Sequence, residues 1–243
     1  MKLLLISNST NAGESYLGWP KTFISEFMHK HKVSSVLFVP YAGVNLSKDG
    51  LKASYDAYET RVKAVFEALG FSLKSIHHEK DPVDAVNKAE CIAVGGGNTF
   101  HLVAQMQKTG IMEAIRSKAL NGMPYMGWSA GSNVACPTLK TTNDMPIFEP
   151  ESFNCLNLIP FQINPHYLDA NPEGHGGETR QQRIEEFLAI NPEITVAGLR
   201  EASLLELDGQ KLLLKGSRNM RLFKAAKEPQ EIESGADVSF LLG

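Results

Sequence analysis

The strongest chemical signal in this 243-residue sequence is Gly127-Trp128-Ser129-Ala130-Gly131, a G-x-S-x-G pattern. A serine at a tight strand-to-helix turn has a strained backbone, and small flanking residues let the chain double back so that its hydroxyl stands clear. An apolar run precedes Ser129 and a helix-compatible run, 130–135, follows it, as such an elbow requires. A serine hydroxyl becomes a nucleophile beside a neutral imidazole that takes its proton and returns it to the leaving group. His166, in Asn164-Pro165-His166-Tyr167, follows a predicted strand at 158–163 and is the favoured base. His175, in the same Gly/Pro-rich loop, is its rival. His29 and His31 flank a helix end, His77 and His78 fall in a strand-to-helix connection, and His101 lies beside a glycine turn. No H-E-x-x-H or His/Cys cluster accompanies His166, so the expectation is a site without metal or cofactor.

A carboxylate is needed to orient the imidazole. Asp144, in Thr141-Thr142-Asn143-Asp144, and Glu201, after a predicted strand ending at 199, are both candidates, and spacing does not choose between them. The oxyanion donors are expected from Gly95-Gly96-Gly97-Asn98, where bare backbone approaches a ligand closely. The Gly97 N–H and the Ala130 N–H form the anticipated pair. A phosphate-binding reading of the glycine turn is weak, because residue 100 is Phe where the dinucleotide fingerprint has a third glycine, and no Walker lysine follows.

These groups need a scaffold, and its rhythm is strand then helix. Predicted strands at 2–7, 34–40, 71–76, 91–94 and 124–127 alternate with predicted helices at 21–30, 51–69, 82–89, 102–107 and 111–120. Continuous apolar strands between helices imply a parallel sheet covered on both faces. The last third changes character. Runs at 195–199, 203–207, 211–214 and 220–224, with an Asp208-Gly209 turn, predict a strand and an antiparallel hairpin. The fold class is therefore α/β, mostly parallel with a C-terminal antiparallel edge, in a single domain spanning 1–243.

Composition narrows the partners. A net charge of −3 with 21% charged residues supplies no footprint for nucleic acid or an anionic membrane. The apolar run 3–6 is too short for a signal peptide, and no stretch reaches membrane-span length. Three scattered cysteines, Cys91, Cys136 and Cys155, suggest a reducing, cytoplasmic setting. A chain of this mass should expose roughly 11,000 Å² when folded, which leaves a core that needs no staple.

Taken together, the motifs resemble the peptidase E family of aspartyl dipeptidases, serine hydrolases with a fold like class I glutamine amidotransferases. The likeness covers K-L-L-L-I-S-N-S at 2–9, the segments 95–100 and 127–133, T-T-N-D at 141–144, N-P-H-Y at 164–167 and G-E-T-R at 177–180. It implies Ser129 as nucleophile, His166 as base, and either Asp144 or Glu201 as third member. The family's surroundings for that glutamate often read G-L-P-E-G, whereas this chain has Arg200 and Ala202. The implied substrate is an Asp-Xaa dipeptide, which needs a receptor for its β-carboxylate, expected at Arg180, and one for its ammonium, at Glu178 or Asn98. A monomer or homodimer without nucleic-acid or membrane partners would suffice. A cyanophycinase-like hydrolase of β-aspartyl linkages and a carboxylesterase-type hydrolase are the alternatives.

Overall fold

Leu3, Leu4, Leu5 and Ile6 in strand β1 (Lys2–Ile6) are all fully buried, because the strand has a helical layer on each side. Leu3 and Leu5 enter one apolar cluster while Leu4 and Ile6 enter another, as the period of two demands. The computed structural model describes residues 1–171, 173–174 and 176–243. It exposes 11,233 Å², close to the value expected from mass.

The first half winds as β1, α1 (Lys21–Lys30), β2 (Ser35–Val39), α2 (Leu51–Ala68), β3 (Ser72–Ser75), α3 (Pro82–Lys88), β4 (Ile92–Val94), α4 (Thr99–Lys108), α5 (Ile111–Leu120), β5 (Tyr125–Trp128) and α6 (Ala130–Asn133). Helices α1 and α2 cover one face through Ile24, Phe27, Val62 and Phe66. Helices α3, α4 and α5 cover the other through Val86, Val103, Met106 and Ile115. Local signals explain several boundaries. The Asp81 carboxylate accepts from the Asp84 N–H at 2.9 Å and caps α3, while Gly70, at φ 87°, closes the turn beyond α2.

Later come β6 (Gln162–Tyr167), α7 (Arg180–Ile190), β7 (Val196–Arg200), β8 (Ser203–Asp208), β9 (Lys211–Gly216), β10 (Met220–Phe223) and β11 (Gln230–Ile232). The large sheet has seven strands in the order β3-β2-β4-β5-β1-β8-β9, parallel from β3 to β1 and antiparallel at β8 and β9. The predicted α/β class and antiparallel edge are therefore present.

Two predictions needed revision. The run at 195–199 joins a separate four-stranded sheet, β11-β10-β7-β6, rather than the large one. The strand expected at 158–163 begins only at Gln162, since Leu158 and Ile159 are buried as loop and Pro160 has no N–H to give a ladder. Ile163, Ala197, Leu199, Met220 and Leu222 of the small sheet pack into the same cluster as Leu3, Leu5 and Val94 of the large one. On its far side α7 packs Ile184 and Leu188 against Tyr167 and Phe223.

Candidate active site

Strands β4 and β5 are neighbours, with Val94 paired to Gly127, so the glycine turn and the serine turn emerge side by side at the carboxyl edge of the sheet. Ligands bind there in open α/β folds. Ser129 has φ 53° and ψ −114°, a conformation that costs on the order of 1–3 kcal/mol for a residue with a side chain. The surroundings hold it. Its N–H donates to Ile6 O at 3.0 Å, and its carbonyl accepts from the N–H groups of Ser132 and Asn133. A Cβ on Gly127 would collide with the Gly131 carbonyl, and one on Gly131 with the Val94 carbonyl. These two close approaches are why the motif needs glycine at both ends.

The glycine turn is tied to the serine turn through aromatic side chains. Trp128 Nε1–H donates to the hydroxyls of Tyr58 and Tyr16, each at 3.0 Å, and Tyr58 donates to Gly96 O at 2.9 Å. Gly97 sits at φ 133° with the Ala42 backbone where a Cβ would stand. Gly97 and Ala130 line one cavity with Ser129, and among the described residues neither N–H has a hydrogen-bond partner.

His166 reaches Ser129 from the other sheet. Strands β6 and β7 run parallel, but their register slips between Asn164 and Tyr167, inserting one extra residue. The bulge puts His166 at φ 52° and turns its ring out of the ladder. His166 Nε2 lies 3.0 Å from Ser129 Oγ, and His166 Nδ1 lies 2.8 Å from Glu201 Oε1. Ser7, fully buried at the end of β1, fixes the bulge: it accepts from the His166 N–H at 3.0 Å and donates to Leu199 O at 2.8 Å. Next to it, Asn8 accepts from the Ala202 N–H at 2.9 Å, holding the loop that carries Glu201. Ala202 occupies φ 63°, the left-handed region, although it is not glycine.

Asp144 is placed differently. Its Oδ2 accepts from Thr99 N–H at 2.7 Å, Thr99 Oγ1 at 2.6 Å and Thr142 Oγ1 at 3.1 Å, and it makes no hydrogen bond to His166. Its neighbour Asn143 binds the Pro165 carbonyl and the Asn164 side chain, both at 2.7 Å, so the T-T-N-D loop braces the base-bearing strand. Of the two carboxylates, the structure brings Glu201 to the imidazole.

The model for Peptidase family S51 matches residues 3–215. The chain belongs to peptidase family S51. A peptidase E of Nostoc sp. is 46% identical over 99% of this chain and 96% of its own. One from Escherichia coli is 43% identical over 97% and 99% respectively. A peptidase from an acI-B1 actinobacterium, 17% identical, superposes with a TM-score of 0.69 over 98% of this chain and 96% of its own, which shows the shared fold. As a family S51 member the chain is a serine-type peptidase.

The remaining predicted residues divide. Arg180 opens α7 and lines the Ser129 cavity together with Asp144. Burial pulls its guanidinium below its ordinary pKa, the neighbouring Arg183 adds to this, and Asp144 opposes it. No ion pair engages it among the described residues. Asn98 also lines the cavity, but its side chain is occupied: Oδ1 caps α4 through the His101 N–H, and Nδ2 donates to Met145 O at 2.8 Å. Glu178 precedes α7, pairs with Arg183 at 3.3 Å and lines an adjoining cavity. His101 is buried and bonds Tyr41 O, and His175 lies outside the described residues. Residue types and spacing assigned no role to Tyr58 or Arg61, which line the cavity, or to the buried struts Ser7 and Asn8, which enter only within the resembling segment 2–9. The three thiols are unpaired and buried, and burial raises that of Cys136 to about 12, so none competes as nucleophile.

Proposed function

We propose that this family S51 peptidase hydrolyses dipeptides beginning with aspartate through an ester on Ser129. The observation that carries the reading is one cavity of about 620 Å³ lined by Ser129, His166, Asp144 and Arg180, with Glu201 behind the imidazole. Ser129 Oγ attacks the aspartyl carbonyl as its proton passes to His166 Nε2, and the Gly97 and Ala130 N–H groups receive the oxyanion. His166 then protonates the leaving amine. Water, deprotonated by the same nitrogen, cleaves the ester and returns the proton to Ser129. Glu201 accepts from Nδ1–H and stabilises the imidazolium formed in each half-reaction.

Selectivity follows from charge. Arg180, which makes no ion pair among the described residues, suits the β-carboxylate as a bidentate donor. Asp144 Oδ1 has no hydrogen-bond partner among the described residues and suits the α-ammonium, with Asn98 lining the same cavity. The unpaired buried thiols favour a reducing compartment, and we place the enzyme in the cytoplasm.

A dipeptide panel tests this. Asp-Leu should be cleaved well and Ala-Leu poorly, and Arg180→Ala should lower kcat/KM for Asp-Leu by about 10- to 150-fold, the loss of one charge-assisted bond. An undiminished preference for aspartate in Arg180→Ala would move the receptor elsewhere. Faster cleavage of β-Asp-Arg than of α-Asp-Leu would replace the dipeptidase reading with a β-aspartyl one.

A further inference from the structure

Away from the Ser129 cavity, four side chains converge that the peptidase chemistry does not use. Asp56 and Glu59 stand three residues apart on α2, hence on one face of the helix. His77 and His78 lie in the single helical turn Ile76–His78 that follows β3, which pairs alongside β2 and packs against α2. His77 Nε2 is 2.9 Å from Asp56 Oδ1, and His78 Nε2 is 2.8 Å from Glu59 Oε2 and 3.5 Å from Asp56 Oδ1. One donor atom from each of the four residues falls within 4.8 Å of all the others. A tetrahedral zinc site with bonds of about 2.0–2.1 Å has donor-to-donor edges of about 3.3 Å, and the three measured distances straddle that value.

Simple ion pairing explains the cluster poorly. The two imidazole centroids are 3.9 Å apart, so two imidazolium ions would repel each other, while two neutral rings can each donate only one N–H and leave both carboxylates charged. With both rings neutral, two carboxylates face them with Lys52, 3.5 Å from Asp56 and largely exposed, as the nearby cation. A divalent ion at the centre would neutralise both acids and let both Nε2 lone pairs coordinate. The support behind His77 is already built. Its side chain is only 5% exposed, and its Nδ1 lies 2.6 Å from the hydroxyl of buried Ser75, which is in turn 3.4 Å from Phe38 O. With Ser75 donating to that carbonyl and accepting from Nδ1–H, His77 is held in the tautomer that presents Nε2 as a ligand, the outer-shell arrangement typical of metal-bound histidine. His78 and Asp56, each nearly half exposed, leave a way in.

We propose that Asp56, Glu59, His77 and His78 form a binding site for a divalent transition metal, with Zn²⁺ best matched to the two-imidazole, two-carboxylate donor set. None of the four lines the Ser129 cavity. The ion would clip α2 to the connection after β3. Because Tyr58, which holds the Gly96 carbonyl, sits on α2 between Asp56 and Glu59, the clip would also steady the glycine turn.

The test uses the full chain after chelator treatment. Titration with Zn²⁺ should show one ion per chain at micromolar affinity or tighter and a raised melting temperature, and Co²⁺ should give the visible absorption of a tetrahedral site. His78→Ala and Glu59→Gln, both at positions that leave the core intact, should each weaken Zn²⁺ binding about tenfold or more, while His166→Ala should leave it unchanged. Millimolar or non-stoichiometric binding would overturn the proposal, leaving a pair of His–carboxylate contacts only. So would affinity that survives both His78→Ala and Glu59→Gln, or that disappears in His166→Ala and thereby assigns the ion to the cavity.

Discussion

The seven-stranded and four-stranded sheets each supply part of the candidate site, and they constrain it by different means. On the large sheet Ser129 and Gly97 are fixed by steric close approach: the Ala42 backbone stands where a Cβ on Gly97 would go, the Gly131 and Val94 carbonyls where Cβ atoms on Gly127 and Gly131 would go, and α6 takes up the serine's carbonyl. On the small sheet His166 and Glu201 owe their positions to distant partners. Ser7, 159 residues away in sequence, anchors the histidine, and Asn8 anchors the glutamate loop. The nucleophile is thus positioned by close packing of backbone on backbone, and the base by a bulge that long-range hydrogen bonds hold open. The first kind of constraint fails abruptly on substitution; the second should fail by degrees.

The largest expected effect tests the steric side. Ser129→Ala should lower kcat by about 10³- to 10⁶-fold while KM for Asp-Leu changes little, measured by peptide hydrolysis at saturating substrate. Turnover near that of the unsubstituted enzyme would mean that another group attacks, and the elbow would then be a packing turn.

The two carboxylates break the comparison differently. Glu201→Gln should lower kcat by about 10²- to 10³-fold, less than the roughly 10⁴ seen for a buried triad acid, because Glu201 is 48% exposed and water can partly replace it. Asp144→Asn should act mainly on KM, since Asp144 lines the cavity and its Oδ2 braces Thr99 rather than His166. Steady-state kinetics on both variants separates these roles. A collapse of kcat in Asp144→Asn with little change in Glu201→Gln would reverse the assignment.

Ser7→Ala probes the long-range side alone. It leaves the His166 N–H and Leu199 carbonyl without their buried partner, at a cost of about 1–3 kcal/mol each if water does not enter. Denaturant unfolding should show about 2 kcal/mol lost, and kcat should fall about tenfold with KM nearly unchanged as the histidine loosens. A stability loss with kcat intact would show that Asn143 and Asn164 hold the bulge unaided.

The same contrast explains what the sequence made legible. Helices α1 and α5 lie where the periodicity predicts them, and the G-x-S-x-G turn was readable because its residue types form one contiguous five-residue pattern. The position of β6 was not, since hydrophobicity at Leu158 and Ile159 marks burial rather than strand pairing, and Pro160 breaks the ladder that the run suggests. The second sheet was missed because pairing of β7 with β6 and β10 is non-local. Choosing between Asp144 and Glu201 required the register slip at Asn164–Tyr167, which no residue type announces.

Arg200 offers the smallest effect and the finest distinction. It stands where the family pattern favours proline, directly before Glu201, and its guanidinium binds Asp169 at 2.7 Å through two nitrogens and Glu231 at 2.7 and 3.0 Å. Hydrogen bonding to Arg200 holds both carboxyl groups below the usual carboxylate range, with burial opposing. A depressed folded-state pKa contributes stability above the unfolded value, about 4, and that contribution disappears as pH falls through the lower folded value. Melting temperature should therefore decline more steeply below about pH 4 in the unsubstituted protein than in Arg200→Gln. The variant should start a few degrees lower at pH 6, a small shift because both acids are about half exposed and solvent-screened. The two curves should converge toward pH 3. Parallel curves would mean that the clamp adds no folding energy. If they converge while kcat at pH 7 also drops in Arg200→Gln, the clamp stiffens the Glu201 loop in place of the proline ring, and an ionic network then does for the base what steric closure does for the nucleophile.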